Sequence, residues 1–143
     1  MFYMYRLILL LIVICSFFVS SGCEQAQTDY SVDGIVTIER AFRNRESNFF
    51  VTSKGIVEQI LPDDVKGTQH QRFIVRLKND QTLLITYNID VAPRIHDVHE
   101  GDEIRFRGEY EWNEKGGVIH WTHHDPLMKR AGGWIEHKGK RYQ

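Results

Sequence analysis

Within a chain of 143 residues, the run His120-Trp121-Thr122-His123-His124-Asp125-Pro126 concentrates imidazoles, an indole and a carboxylate. Neutral imidazole is a common ligand of zinc and copper, so His120, His123, His124 and Asp125 form a candidate site for a divalent metal. Spacing sets a condition on that site. In an extended chain His120 and His123 point to opposite faces, and His120 and His124 stand about 13 Å apart at roughly 3.3 Å per residue. A single ion can join them only if the chain turns after Thr122. Pro126 favours such a turn by pushing its predecessor into extended or turn geometry, and His70 is a further donor the turned chain could reach. The competing role for the same imidazoles is structural hydrogen bonding from half-buried positions.

A second set mixes cations and rings. His70, Arg72 and Arg76 recur at a spacing of two, which places them on one face of a strand, and Arg105 and Arg107 do the same further on. With Tyr87 and Trp121 nearby, His70, Arg72 and Arg76 could hold an oligonucleotide, peptide or glycan through polar contacts and ring stacking. Against a nucleic-acid ligand stands the charge: 18 Lys and Arg face 19 Asp and Glu, without the basic excess that displaces phosphate counterions. Arg105 and Arg107 alternate with Glu109 and Glu111 outside a strand whose Tyr110 and Trp112 belong to the apolar face, which is also the pattern of a solvated surface over a core. A third set, Asp63, Asp64, Arg72, Asp90 and Arg94, loosely resembles the groups with which calcium-dependent nucleases built on OB barrels hold metal and neutralise developing phosphate charge. A metal-dependent, nuclease-like hydrolase is thus an alternative to a binding module. The chain has no P-loop, HExxH or Ser-His-Asp order.

The elements that must position these residues are mostly strands. Ser31 or Asp33 can cap a helix in which Ile35, Ile38, Ala41 and Phe42 recur at three-to-four spacing, ending near Glu46. From Phe49 the period becomes two. Phe49–Val51 and Gly55–Leu61 predict one bent strand or two short ones, and Gln71–Leu77 with Thr82–Tyr87 predict a hairpin around Lys78-Asn79-Asp80-Gln81. Ile89–Val98, with Pro93, suits a short helix or turn. Ile104, Phe106, Gly108, Tyr110 and Trp112 mark the apolar face of a fourth strand, in which Gly108 signals a bulge, a bend or a close backbone approach. After a turn at Asn113–Gly117, Val118–Thr122 returns as a fifth. The expected class is mainly β: a five-stranded OB-like barrel with an N-terminal helix and a short helical connection between strands three and four, with an open sandwich as the alternative because spacing does not give strand order. At the C-terminus, Gly132-Gly133 predicts a turn and Trp134 a plug for the open end.

The N-terminus reads as an export address. Arg6 precedes the uncharged apolar run Leu7–Val19, shorter than the ~20 residues a spanning helix needs, then Ser20-Ser21-Gly22-Cys23. Small residues before a cysteine resemble a bacterial lipobox, with Ser20 in place of the usual leucine. We expect a lipoprotein signal peptide over 1–22, lipidation at Cys23, a polar tether over 23–30 and one domain over 31–143. An uncleaved anchor is the alternative. Cleavage would remove Cys15 and leave a mature chain whose single cysteine is acylated, which excludes disulfides and thiol chemistry. Arg6 is the sole charge of residues 1–22, so the domain keeps 17 of the 18 basic residues and all 19 acidic ones. The expected location is the bacterial cell envelope, lipid-anchored to a membrane; Glu24 rather than aspartate after the cysteine favours the periplasmic face of the outer membrane.

The strings GIVEQILPDD, GTQHQRFIVRL, TYNIDVAPRI, GEYEWNEKGGVIHWTHHDP and GWIEHKGKRYQ resemble the small bacterial family called domain of unknown function 3465. The resemblance runs from about the first helix to the C-terminus. It implies a small exported β-domain and no particular activity. Tyr87 departs from it, standing where histidine would be expected before Asn88-Ile89-Asp90.

Overall fold

The computed structural model describes residues 30–143; the expected leader, Cys23 and nearly all of the expected tether lie outside them. Helix α1 (Tyr30–Asn44) opens at the last residue of that tether and stops two residues before Glu46. Its stop is built by the backbone. Arg45 takes a left-handed φ of 59°, and the amides of Arg45 and Glu46 donate to Phe42 O and Ala41 O at 3.3 and 2.9 Å, satisfying two carbonyls of the last turn. Ile38 and Ala41 are fully buried where the helix lies on the first strand.

Seven strands follow: β1 (Phe49–Asp64), β2 (His70–Arg76), β3 (Thr82–Asn88), β4 (Glu103–Glu111), β5 (Val118–His120), β6 (Trp134–His137) and β7 (Lys140–Tyr142). Their order in the sheet is β1-β2-β3-β5-β4-β6-β7, and an added β1–β4 pairing closes β1-β2-β3-β5-β4 into a ring. β1 makes closure possible because it is one long bent strand. Phe49 to Ile56 pair with β4, and from Ile56 onward the partner is β2. Gly55 sits at this change of partner, where a Cβ would lie 2.5 Å from Arg76 O. Register irregularities between Val57 and Gln59 and between Leu61 and Asp64 bend the second half and accommodate Pro62.

Period-two alternation then fills the inside of the ring. Phe73, Val75, Leu83, Ile85, Tyr87, Ile104, Phe106, Tyr110 and Ile119 are buried, with Ile38 of the helix joining them. Trp112 is half-buried at the junction with α1, where its indole donates to Phe42 O at 3.0 Å. The mainly β class holds, with three corrections. Residues 89–102 form turns and bends without a helix. They are held instead by the buried Gln71 side chain, which hydrogen-bonds both Ile95 N (2.8 Å) and Ile95 O (3.0 Å), and by Tyr87 Oη donating to Pro93 O (3.0 Å). β5 ends at His120 instead of Thr122. The C-terminal segment adds the hairpin β6–β7 to β4, in which Ile135 is fully buried while Trp134 lies on the opposite face between Arg105 and Arg141, so Ile135 and not Trp134 joins the core.

Candidate functional site

The outward side chains of β2, β3, β5 and β4, together with the segment after β5, enclose an open cleft of about 620 Å³. Its position follows from two backbone features. Gly108 on β4 lets β5 come close, since a Cβ there would meet His120 O at 2.3 Å and the Ile119 side chain at 2.5 Å. Trp121, at φ 51°, occupies the left-handed region that an aromatic residue rarely visits. That one residue turns the chain immediately after His120. His120 and His123 therefore line the same cleft, which an extended 118–124 would forbid, while His124 is left exposed outside it.

The cleft wall is polar. His70 stands at the start of β2, paired with Asn88 at the end of β3, and both line the cavity with Thr86, His120, Trp121 and His123. Each imidazole is oriented through Nδ1: His70 with Thr68 O (2.8 Å), His123 with His124 O (2.7 Å) and His120 with Thr86 Oγ1 (3.4 Å). Burial pushes the His123 pKa below its ordinary 6.5, and proximity to His70 and His124 adds to the effect. Glu109 and Glu111 bring carboxylates from β4, and Arg130 enters from the loop, 3.6 Å from Glu109 and with its guanidinium 3.8 Å from the Trp121 ring centroid. Nothing in the spacing of the sequence joins Glu109, Glu111 or Arg130 to the histidines. The outward alternation of β4 locates both glutamates on a wet face, but the register Glu109↔His120 that makes them neighbours of β5 is non-local.

Of the residues expected to hold a ligand, His70 and Trp121 meet in the cleft. Arg72 and Arg76 share the outer face of β2 with His70 but are committed elsewhere. Arg72 Nε donates to Pro62 O at 2.9 Å, and Arg76 forms a close ion pair with Glu58. Tyr87 faces inward and is fully buried, so its ring cannot stack on a ligand, and burial pushes its hydroxyl pKa up to about 12. The expected metal set does not converge. Asp125 accepts the amides of Leu127, Lys129 and Arg130 at 3.0, 2.8 and 3.0 Å, which fixes the loop and holds its carboxyl below the usual range. Among the described residues no group of three or more His, Cys, Asp or Glu side chains could hold a metal. Members of the nuclease-like set make structural contacts: Asp63 pairs with Arg94 at 2.6 Å, Asp64 accepts Lys66 N and Asp90 accepts Gln69 N.

Fold and cleft together define a small mainly β protein with, among the described residues, one helix and a polar, histidine-lined depression on the outside of a closed ring of strands. The chain belongs to the family described as protein of unknown function DUF3465, whose model matches residues 20–143. The curated proteins contain no match to it.

Proposed function

We propose that this chain is an envelope lipoprotein, anchored through Cys23, whose OB-like module binds a glycan in the cleft between His70, Trp121 and His123. Support for an OB-like module comes from the ring order β1-β2-β3-β5-β4-β1, with a lone parallel contact between β3 and β5, over a core of inward side chains. The observation that carries the ligand class is the composition of the cleft. Asn48, Asn88, Thr68 and Thr86 offer amide and hydroxyl groups, Glu109 and Glu111 offer acceptors, and Trp121 offers a ring edge. Such a surface suits a neutral ligand rich in hydroxyls. It disfavours a polyphosphate, because two carboxylates line it and the arginines of β2 are engaged elsewhere. Among the described residues no helix is long and apolar enough to cross a membrane.

Thermal shift of the full chain against oligosaccharides, peptides and oligonucleotides tests the ligand. An oligosaccharide should raise the melting temperature of the wild type and fail to do so for Trp121→Ala. A shift with oligonucleotides or peptides alone would replace the glycan. Palmitate labelling, lost in Cys23→Ser, tests the anchor.

A further inference from the structure

Two imidazoles of the cleft have their tautomer set by the backbone. Nδ1 of His70 lies 2.8 Å from Thr68 O, and Nδ1 of His123 lies 2.7 Å from His124 O. A carbonyl oxygen only accepts, so in each ring Nδ1 carries a proton and donates it. Nε2 of the neutral ring is then a bare lone pair. Both rings line the cleft, and among the described residues no hydrogen bond or ion pair reaches either Nε2. His120 differs. Its Nδ1 meets a hydroxyl, Thr86 Oγ1, which can donate or accept, and its Nε2 lies at ion-pair distance, 2.9 Å, from Glu111 Oε2. His123 is only 8% exposed, and an acceptor sheltered to that degree gains most from a ligand that brings it a donor.

We infer that His70 and His123 are paired hydrogen-bond acceptors that make the cleft selective for free hydroxyl groups. The inference rests on the glycan reading and narrows it: the sugar is recognised through O–H groups aimed at the two Nε2 atoms, so an ether or ester at those oxygens is refused. His70 opens β2 and the turn at Trp121 returns His123 toward it, close enough that a charge on one ring disfavours a charge on the other. Glu109 and Glu111 are acceptors as well, but each already faces a basic side chain, Arg130 at 3.6 Å and His120 at 2.9 Å. Protonation reverses the role of the pair, because Nε2 of an imidazolium donates. The groups around His123 are His70 on β2, His120 on β5, the two glutamates on β4, and His124, Asp125 and Arg130 on its own loop. Burial is the largest influence on its pKa and lowers it, helped by the nearness of His124 and His70; the bond to His124 O and the charge of Asp125 act the other way and are outweighed. The acceptor at His123 is therefore intact above about 6.5 and is lost as pH falls below that value.

Titration calorimetry of the full-length chain in detergent, with maltohexaose, cellohexaose and chitohexaose at pH 7.5, tests the pair. For a hexasaccharide that binds, permethylation should abolish binding, and His70→Phe and His123→Phe should each lower affinity roughly five- to tenfold while circular dichroism shows both variants folded. His123→Gln offers a carbonyl acceptor that cannot charge; it should keep the affinity of the wild type at pH 7.5 and lose less of it at pH 5.5. Histidine 15N nuclear magnetic resonance of the ligand-free chain should show Nδ1 protonated and Nε2 bare in both rings at pH 7.5. A bare Nδ1 in either ring, a permethylated sugar bound as tightly as its parent, or undiminished affinity in both phenylalanine variants overturns the pair and leaves the glycan reading standing. Absence of binding by all three sugars overturns the glycan reading, and the pair with it.

Discussion

His123 shows how one side chain couples the cleft to stability. Burial is the main reason its imidazole resists protonation in the folded chain, whereas the unfolded ring takes up a proton near its ordinary 6.5. The folded-state pKa is depressed, so the contribution is fully present above about 6.5 and is lost as pH falls below that value. Thermal unfolding followed from pH 7.5 to 5 should show a decline in the wild type that is shallower in His123→Asn, which cannot charge. Equal slopes would place the acid sensitivity elsewhere. The residue types of the cleft were legible: His70, Trp121 and the histidine run are conspicuous. Their sorting was not, because it depends on a left-handed φ at Trp121, a conformation that sequence leads one to expect of glycine or asparagine. The same turn divides His123 from His124, which no spacing rule separates.

At the scale of elements, what could be read was what is local. The alternation of β4 places Ile104, Phe106 and Tyr110 inside and Arg105, Arg107 and Glu109 outside, as the structure has them. The β2–β3 hairpin was equally legible, and its turn allows a test. Asp80 sits at φ 64° in the loop closed by Asp80 N to Leu77 O (3.0 Å) and Leu77 N to Gln81 O (2.9 Å). Asp80→Gly should stabilise the protein by about 0.5 to 1 kcal/mol by removing the left-handed cost, read as a higher urea midpoint at unchanged slope. A lower midpoint would mean that the aspartate side chain contributes more than its backbone conformation costs. By contrast, the parallel contact of Leu84 with Val118 and the docking of β6 on β4 join residues more than twenty-five positions apart, and the three-residue strands β5 and β7 are too short to announce themselves by period. The connection 89–102 misled in another way: Pro93 and scattered apolar residues fit a short helix, but Gln71 supplies the hydrogen bonds that a helix would have made internally.

Across the whole molecule, the C-terminal hairpin is tied to the ring by Asp102. Its Oδ2 accepts from His99 N (2.9 Å) and Lys138 Nζ (3.3 Å) and lies 2.8 Å from the buried His137 Nε2. These contacts, the His99 amide foremost, hold its carboxyl at about 2, so the stability they provide is present above about 3.8 and is lost as pH falls toward 2. Asp102→Asn should unfold at a lower temperature at pH 7 and lack the steep loss that the wild type shows between pH 4 and 2; identical acid profiles would discount the tie. The hairpin it secures has a further consequence. The outer side of β7, three residues long and carrying Lys140 and Arg141, is the edge at which the sheet ends. Short, charged margins of this kind discourage strand addition by a neighbouring chain, and so guard against fibrillar self-association when copies of the chain crowd together.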